Sequence, residues 1–259
     1  DDNTAVTVLE GMKAYPKNKL IYRKGADVNL NDNGVVKFHE KVKINESDKS
    51  GFIAAKNAAK NTDVVVMVLG EDGFQSGEGR SRAKIDLPGV QQELLEEIFK
   101  VNKNIVLVLM NGRPLNINWA DKNIPSIVEA WQLGTQTGNA IAQVLYGDYN
   151  PSGKLPMSFP RSVGQIPIYY NYKNTGRPGP KNEVFWSHYS DESNSPLYPF
   201  GYGLSYTTFE YSNIKIDNKT LSIDNSINIS IKLKNTGKYT GKEVVQLYIK
   251  DRYASVTTV

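Results

Sequence analysis

The stretch from Asp63 to Gln92 constrains the fold more than any other part of the chain. It opens with Val64–Leu69, an apolar run that is too short to span a membrane and is rich in β-branched residues. Such a run is typical of a strand buried in a parallel sheet. About fifteen polar, glycine-rich residues then precede the helix that Pro88 opens, whereas most strand-to-helix loops contain about two to six residues. Long loops of this kind are usually functional, so this loop is the first candidate for a site.

The first half of the chain alternates between predicted helices and strands. This alternation favours an α/β fold with a mostly parallel sheet and helices on both faces. The series begins with a helix, although a doubly wound unit normally begins with a strand, so we expect the first strand to lie upstream. Apolar spacing predicts helices over residues 4–14, 48–60, 88–100 and 137–146, and strands over residues 19–23, 64–69, 105–110 and 126–131.

The pattern changes after Tyr146. Residues 147–203 are dense in Pro, Gly and Tyr and lack a helical period, so they predict a long, aromatic-rich connection. Beyond Phe209, apolar residues recur at every second position over residues 214–216, 227–233 and 244–249. This period is typical of antiparallel strands. Only about three or four strands fit into this part of the chain, whereas an immunoglobulin-like sandwich has about seven, so we expect a partial antiparallel β-sandwich.

Composition and charge exclude several classes of partner. The formal net charge of +4 comes from lysines and arginines that are spread along the chain among 27 acidic residues, so we expect no nucleic-acid partner. The chain has no cysteine, and His39 and His188 are too few and too far apart for a zinc site. No apolar run reaches the length of about 18 residues that a membrane helix needs. We therefore expect no metal, no other cofactor and no membrane span.

Four segments share a pattern with a known family. They are LGEDGFQSGEGRSRAKIDLPGVQQELL at residues 69–95, VLVLMNGRPL at 106–115, LYGDYNPSGKLPMSFPRSVGQIPIYYNYKNTGRP at 145–178 and YPFGYGLSYTTFEYSNI at 198–214. In this order and spacing they resemble the C-terminal part of a family 3 glycoside hydrolase of the bacterial β-glucosidase type.

The resemblance implies a domain order. In that family a (β/α)8 barrel comes first, an α/β sandwich domain follows, and a fibronectin type III-like domain often comes last. Residues 1–205 then correspond to the α/β sandwich domain without its first strand. Residues 206–259 correspond to the truncated start of the fibronectin type III-like domain. The missing N-terminal barrel would be the partner of this chain within a longer parent.

The resemblance also implies a chemistry, the retaining hydrolysis of a β-linked glucoside or oligosaccharide. This reaction needs two carboxyl groups about 5–5.5 Å apart. The family's nucleophile is an aspartate on the barrel, so no residue of this chain is assigned to that role, and we expect the isolated chain to be inactive. The general acid/base corresponds to a glutamate of the long loop. Glu78, flanked by glycines that permit close approach to a sugar, is preferred over the alternative, Glu71, which sits at the strand end.

Arg80 and Arg82 lie beside Glu78 in the sequence. A guanidinium close to a general acid would favour its ionised form, which cannot donate a proton. We therefore expect both arginines to brace the loop against carboxylates or carbonyl groups elsewhere, which leaves Glu78 facing the cleft.

Three further residues at predicted strand ends are candidates for substrate binding. They are Trp131, Asn111 and Arg113, and for Trp131 core packing is the alternative. A non-catalytic carbohydrate-binding or scaffold domain with the same fold is the alternative function. A polysaccharide-degrading role would place the protein in the periplasm or outside the cell.

Overall fold

Three parallel strands form the centre of the first half of the protein. The computed structural model describes residues 5–16, 19–32, 36–171, 176–177, 183–220, 222, 224–251 and 253. The strands are β1 (Val65–Gly70), β2 (Ile105–Met110) and β3 (Ser126–Glu129), in the order β1-β2-β3. Because β2 lies between two parallel neighbours, its backbone groups are paired on both sides.

Helices cover both faces of this sheet. They are α1 (Val8–Lys13), α2 (Phe52–Ala59), α3 (Gln91–Val101), α4 (Asn118–Asn123) and α5 (Thr137–Tyr146). On β2, the fully buried Ile105, Leu107 and Leu109 belong to a core cluster with α2, α3 and α4. Val108 points to the other face and packs with Val8 of α1 and Ile141 of α5. β2 is apolar throughout because both of its faces are covered.

Helices α1 and α5 approach each other closely at two glycines. A Cβ atom on Gly11 would lie 2.1 Å from the carbonyl oxygen of Gly138. A Cβ atom on Gly138 would lie 1.9 Å from the carbonyl oxygen of Thr7. Both distances are far inside van der Waals contact, so only glycine fits at either position.

The predicted α/β architecture, with a parallel sheet and helices on both faces, is confirmed. The strand over residues 105–110 and the helix over residues 137–146 have their predicted bounds, and β1 is displaced by one residue. The other predicted helices and β3 are shorter than expected, and the expected helix start at residue 4 lies outside the described residues. Helix α4 was not predicted because its sequence, NWADKN, is short and mostly polar.

The strand predicted over residues 19–23 is wrong. Residues 19–27 form no strand. A strand needs a neighbour that pairs with its backbone groups, and among the described strands β1 pairs with β2 alone. No described strand therefore covers the outer edge of β1, and Val64 just before β1 and Val68 within it are 49% and 42% exposed.

A second, antiparallel sheet follows the aromatic-rich connection. It consists of β4 (Phe209–Ile216) and β5 (Ile229–Asn235), as the period of two predicts. The strand predicted over residues 244–249 is wrong, because residues 241–250 form no strand. They contact the connection instead, where the Gln246 side-chain amide donates to the carbonyl of Gly201 over 2.9 Å. Among the described residues, no helix has the length and apolar character that crossing a membrane requires.

Candidate functional site at the carboxyl edge of the sheet

The carboxyl ends of β1, β2 and β3 meet at one edge of the sheet because the three strands are parallel. Ligands of open α/β sheets bind outside this edge. The residues that follow each strand therefore lie side by side, Glu71 after β1, Asn111 and Arg113 after β2, and Trp131 shortly after β3.

The long loop after β1, residues 71–82, begins with a well-defined turn. We refer to these residues as the edge loop. Asp72 caps a short 3-10 helix, Gly73–Gln75, by accepting a hydrogen bond from the backbone of Phe74, and the Gln75 side chain accepts one from the backbone of Asp72. Asp72 also accepts a hydrogen bond from the side chain of Asn29 over 2.6 Å. The start of the edge loop is thereby tied to the rest of the domain.

The tip of the edge loop presents Glu78 to solvent. Gly77 and Gly79 on either side have φ angles of +114° and +68°, which side-chain-bearing residues rarely adopt. A Cβ atom at either glycine would meet no other atom within 4 Å. The Glu78 side chain is exposed, and within the part of the chain that the structure describes it forms no hydrogen bond or ion pair. Its carboxyl group is therefore available to a ligand.

Glu71, the alternative candidate, has the opposite surroundings. Its side chain has no exposed area. One carboxylate oxygen lies 2.6 Å from Nη1 of Arg82 and 3.0 Å from Nε of Arg113. The other accepts a hydrogen bond from the backbone of Gly112 over 3.1 Å. A carboxylate that is held by two guanidinium groups and an amide anchors the loop rather than facing a cleft.

Arg80 and Arg82 brace the edge loop as expected. Arg80 donates to the carbonyl oxygens of Phe38 and Glu40 over 2.6 and 3.4 Å. Arg82 pairs with Glu71 and also donates to the carbonyl of Asp86 over 3.0 Å. Both guanidinium groups bind partners other than Glu78, so the predicted bracing is confirmed.

The two candidates that follow β2 are engaged inside the protein. The Asn111 side chain is fully buried and donates to the carbonyl of Arg113 over 2.7 Å. Arg113 pairs with Glu71 and donates to the carbonyl oxygens of Gln75 and Arg80. These contacts shape the edge from within.

Glu129, the last residue of β3, was not singled out from the sequence. One of its carboxylate oxygens accepts a hydrogen bond from the backbone of Trp131 over 3.0 Å, and the other accepts one from the side chain of Asn111 over 3.4 Å. Burial raises the pKa of Glu129 to about 7, although both hydrogen bonds oppose this shift. The signal available in the sequence was an acidic residue at the carboxyl end of an apolar strand.

Trp131 itself is half-buried at the same edge. Its φ angle is +48°, and its indole ring packs against Phe159 with ring centroids 5.8 Å apart. The structure thus places Glu78, Asn111, Arg113 and Trp131 at one edge, with Glu78 the most accessible of them. Among the described residues, no group of three or more histidine or acidic side chains is arranged to hold a metal ion.

Comparison with known proteins identifies the family. The model of the glycosyl hydrolase family 3 C-terminal domain matches residues 2–206. The chain belongs to glycoside hydrolase family 3. A periplasmic β-glucosidase of Salmonella typhimurium is 47% identical over 98% of the chain, which spans 34% of that relative. A β-xylosidase of Formosa agariphila is 45% identical over 97% of the chain, which spans 32% of that relative.

Solved structures of β-glucosidases share the fold. A β-glucosidase of Listeria innocua in complex with isofagomine superimposes with a TM-score of 0.82 at 36% identity, and the match covers 99% of this chain and 34% of the other. A β-glucosidase of Erythrobacter marinus gives a TM-score of 0.82 at 34% identity over 97% of this chain. The chain therefore spans about a third of the length of the relatives it matches.

Proposed function

We propose that this chain supplies the general acid/base and one wall of the cleft of a retaining, exo-acting β-glucosidase. The observation that carries this proposal is the state of Glu78. It is an exposed carboxyl group with no ion-pair or hydrogen-bond partner among the described residues, at the tip of a braced loop and at the sheet edge where α/β folds bind ligands. The names of the relatives, β-glucosidases and a β-xylosidase, support the same substrate class, a β-linked glycoside.

In this mechanism Glu78 acts twice. It first donates a proton to the glycosidic oxygen while a nucleophile on the opposite side of the sugar forms a glycosyl-enzyme. It then accepts a proton from the water that hydrolyses this intermediate. The nucleophile is an aspartate on a barrel domain of a longer parent, which faces Glu78 across the cleft. Arg80 and Arg82 are bound to other groups, so among the described residues neither guanidinium pairs with Glu78.

The other site residues contribute to the cleft wall. Trp131 is the remaining candidate for a direct contact with the sugar, because part of its side chain is accessible at the edge. Asn111 and Arg113 shape the wall from behind, since the amide nitrogen of Asn111 and the guanidinium of Arg113 donate to protein groups.

The domain assignment belongs to the same proposal. Residues 1–205 form the α/β sandwich domain, and a further strand of the longer parent pairs with the open outer edge of β1. Residues 206–259 begin a fibronectin type III-like domain. The length of the relatives, about three times the span that this chain matches, supports a parent with a further domain. The periplasmic relative supports a periplasmic or extracellular location.

The test replaces Glu78 by alanine in the full-length parent. Two substrates are compared, phenyl β-glucoside, whose leaving group needs a proton, and dinitrophenyl β-glucoside, whose leaving group does not. For phenyl β-glucoside kcat/KM should fall by about 10²–10⁴-fold, the usual contribution of a general acid. For dinitrophenyl β-glucoside kcat/KM should change little, and azide should raise kcat by attacking the glycosyl-enzyme from the vacated position.

A matched control is Glu46→Ala, which removes another exposed glutamate, outside the edge loop. It should leave both substrates unaffected. If Glu78→Ala behaves like this control and Glu71→Ala gives the selective loss, the acid/base is Glu71. If neither variant does so, the chain is a non-catalytic carbohydrate-binding or scaffold domain, or uses another acid.

A further inference from the structure

We propose that Arg113 is a positioning residue that fixes the Glu78 carboxyl group by closing the base of the edge loop, with Glu71 as its anchor. This inference rests on the proposed function of Glu78. It assigns Arg113 a role that differs from substrate binding.

The base of the loop converges on one guanidinium group. Nη2 of Arg113 donates to the carbonyl oxygen of Gln75 and to that of Arg80, the latter over 2.9 Å. Two acceptors that share one donor atom cannot be more than about 6 Å apart, twice a hydrogen-bond length. The four residues between them, Ser76 to Gly79, must therefore form a tight turn whose two ends lie close together. Arg113 thus sets the width of the turn that carries Glu78.

The guanidinium is itself held in place by a buried charge. Glu71 has no exposed area and lies 3.0 Å from Nε of Arg113. Its other oxygen accepts from the backbone of Gly112, so the carboxylate joins the end of β1 to the start of the loop after β2. Arg82 lies on the same carboxylate. Arg113 is therefore fixed where the edge loop leaves β1, next to the end of β2.

A second contact holds the loop from the side. A Cβ atom on Gly112 would lie 2.1 Å from Oγ and 2.5 Å from Cβ of Ser76. The edge loop thus rests directly on the backbone of the residue before Arg113. Beyond Ser76 this support ends, because Cβ atoms at Gly77 and Gly79 would meet nothing within 4 Å. The carboxyl group of Glu78 is therefore located from the base of the loop, together with Arg80, which is tied to Phe38 and Glu40.

The variant Arg113→Lys tests the geometry of the guanidinium contacts without removing the positive charge. Lysine keeps the positive charge beside Glu71 but cannot present Nε and Nη2 to three acceptors at once. In the full-length enzyme, kcat/KM for phenyl β-glucoside should fall about 10- to 100-fold, since misplacing a catalytic group by about 1 Å costs on the order of 10²-fold. For dinitrophenyl β-glucoside kcat/KM should stay within about threefold.

The control is Arg161→Lys. Arg161 also binds a backbone carbonyl, that of Ser195 over 3.2 Å, and lies 3.9 Å from the carboxylate of Glu192, but it is outside the edge loop. This variant should leave both substrates unaffected. Thermal unfolding of both variants shows whether either of them loses its fold, so that a local effect on activity can be distinguished from unfolding.

A double-mutant cycle distinguishes positioning from substrate binding. In a Glu78→Ala background, Arg113→Lys should cause no further loss on phenyl β-glucoside, because the group that it positions is gone. If Arg113 bound the sugar, its loss would appear on both substrates and would multiply with that of Glu78→Ala. Either of these results would overturn the inference while leaving the proposed function intact. A Glu78→Ala variant without selective loss would instead overturn the proposed function.

A second pair of variants keeps the inference testable if Arg113→Lys fails to fold. Gly112→Ala should push Ser76 outward and give the same selective loss on phenyl β-glucoside. Adding Ser76→Gly removes the atoms that collide and should restore most of the activity. If Gly112→Ala has no effect, or if its loss is equal on both substrates, the support of the loop does not position Glu78.

Discussion

A carboxylate that is removed from water must be paired with charges or hydrogen-bond donors, whereas an exposed carboxylate needs no such partner. Glu71 and Glu78 illustrate these two situations. Glu71 is fully buried and held by Arg82, Arg113 and the amide of Gly112. Glu78, seven residues later, is exposed between two glycines. The same functional group therefore serves as an anchor at one position and is exposed to solvent at the other, where we propose that it acts as the acid/base.

The anchor role predicts a large effect on stability. Glu71→Ala would leave the guanidinium groups of Arg82 and Arg113 facing each other without their shared carboxylate. We expect a loss of about 3 kcal/mol in the free energy of unfolding, typical of removing one partner of a buried ion pair. Denaturant titration measures this change.

A matched control is Glu93→Ala, which breaks an exposed ion pair with Lys49. It should cost less than about 1 kcal/mol. Equal losses in the two variants would show that the network around Glu71 does not stabilise the edge loop.

Glu129 predicts a pH dependence of stability. Burial raises its pKa in the folded protein from 4.5 to about 7. The folded state then binds more protons than the unfolded state between these values, so Glu129 lowers stability as the pH rises from about 4.5 to about 7. Glu129→Gln removes this titration and keeps an acceptor for the backbone of Trp131.

The variant should therefore resemble the parent near pH 4.5 and be more stable near pH 8. The difference should be on the order of 3 kcal/mol, at about 1.4 kcal/mol per pKa unit. Urea titrations at several pH values give the difference curve between the two proteins, in which all other titrating groups cancel. A flat difference curve would contradict a raised pKa of Glu129.

How far the sequence predicts each element depends on where its stabilising contacts come from. β2 was predicted with its observed bounds because both of its faces are buried, so its sequence is apolar throughout. The segment at residues 19–23 has a strand-like sequence but forms no strand, since its pairing depends on a neighbour that local sequence does not encode. The sequence does not predict helix α4, because its six mostly polar residues show no clear period.

The same distinction applies to the site. Its place at the carboxyl edge follows from the alternation of strands and helices, and the preference for Glu78 follows from family resemblance. The network of Glu71, Arg82 and Arg113 could not be predicted, because these contacts join residues that are 11 and 42 positions apart. The burial of Glu129 likewise depends on packing among β3, Asn111 and Trp131.

The contact between α1 and α5 predicts a strict requirement for glycine. Gly138→Ala would place its methyl group 1.9 Å from the carbonyl oxygen of Thr7, so the two helices must separate. We expect a loss of about 1–3 kcal/mol, as for other overpacked contacts. Gly153→Ala is the control, because a Cβ atom there meets nothing within 4 Å. Thermal unfolding should show a lower Tm for the first variant alone.

At the scale of the whole molecule, the proposed division of labour predicts that this chain alone hydrolyses no aryl β-glucoside at a useful rate. Retaining hydrolysis needs a second carboxyl group about 5–5.5 Å from the acid/base. The nearby aspartates are already used, since Asp72 caps a 3-10 helix and Asp86 accepts a hydrogen bond from the side chain of Asn116 over 3.0 Å. Glu71 is bound by Arg82 and Arg113, and Glu129 is half-buried and accepts hydrogen bonds from Trp131 and Asn111.

Acid catalysis by Glu78 alone would give about 10²–10⁴-fold acceleration, far below the factor of about 10⁶ or more that enzymes reach. Incubating the isolated chain and the full-length parent with nitrophenyl β-glucoside, at equal concentrations, checks this expectation by the release of nitrophenol. The parent should be active, and the isolated chain should not exceed the rate of its own Glu78→Ala variant by more than this small factor. Turnover by the isolated chain at the rate of the parent would mean that both carboxyl groups lie within these 259 residues, and the assignment of the nucleophile to another domain would be wrong.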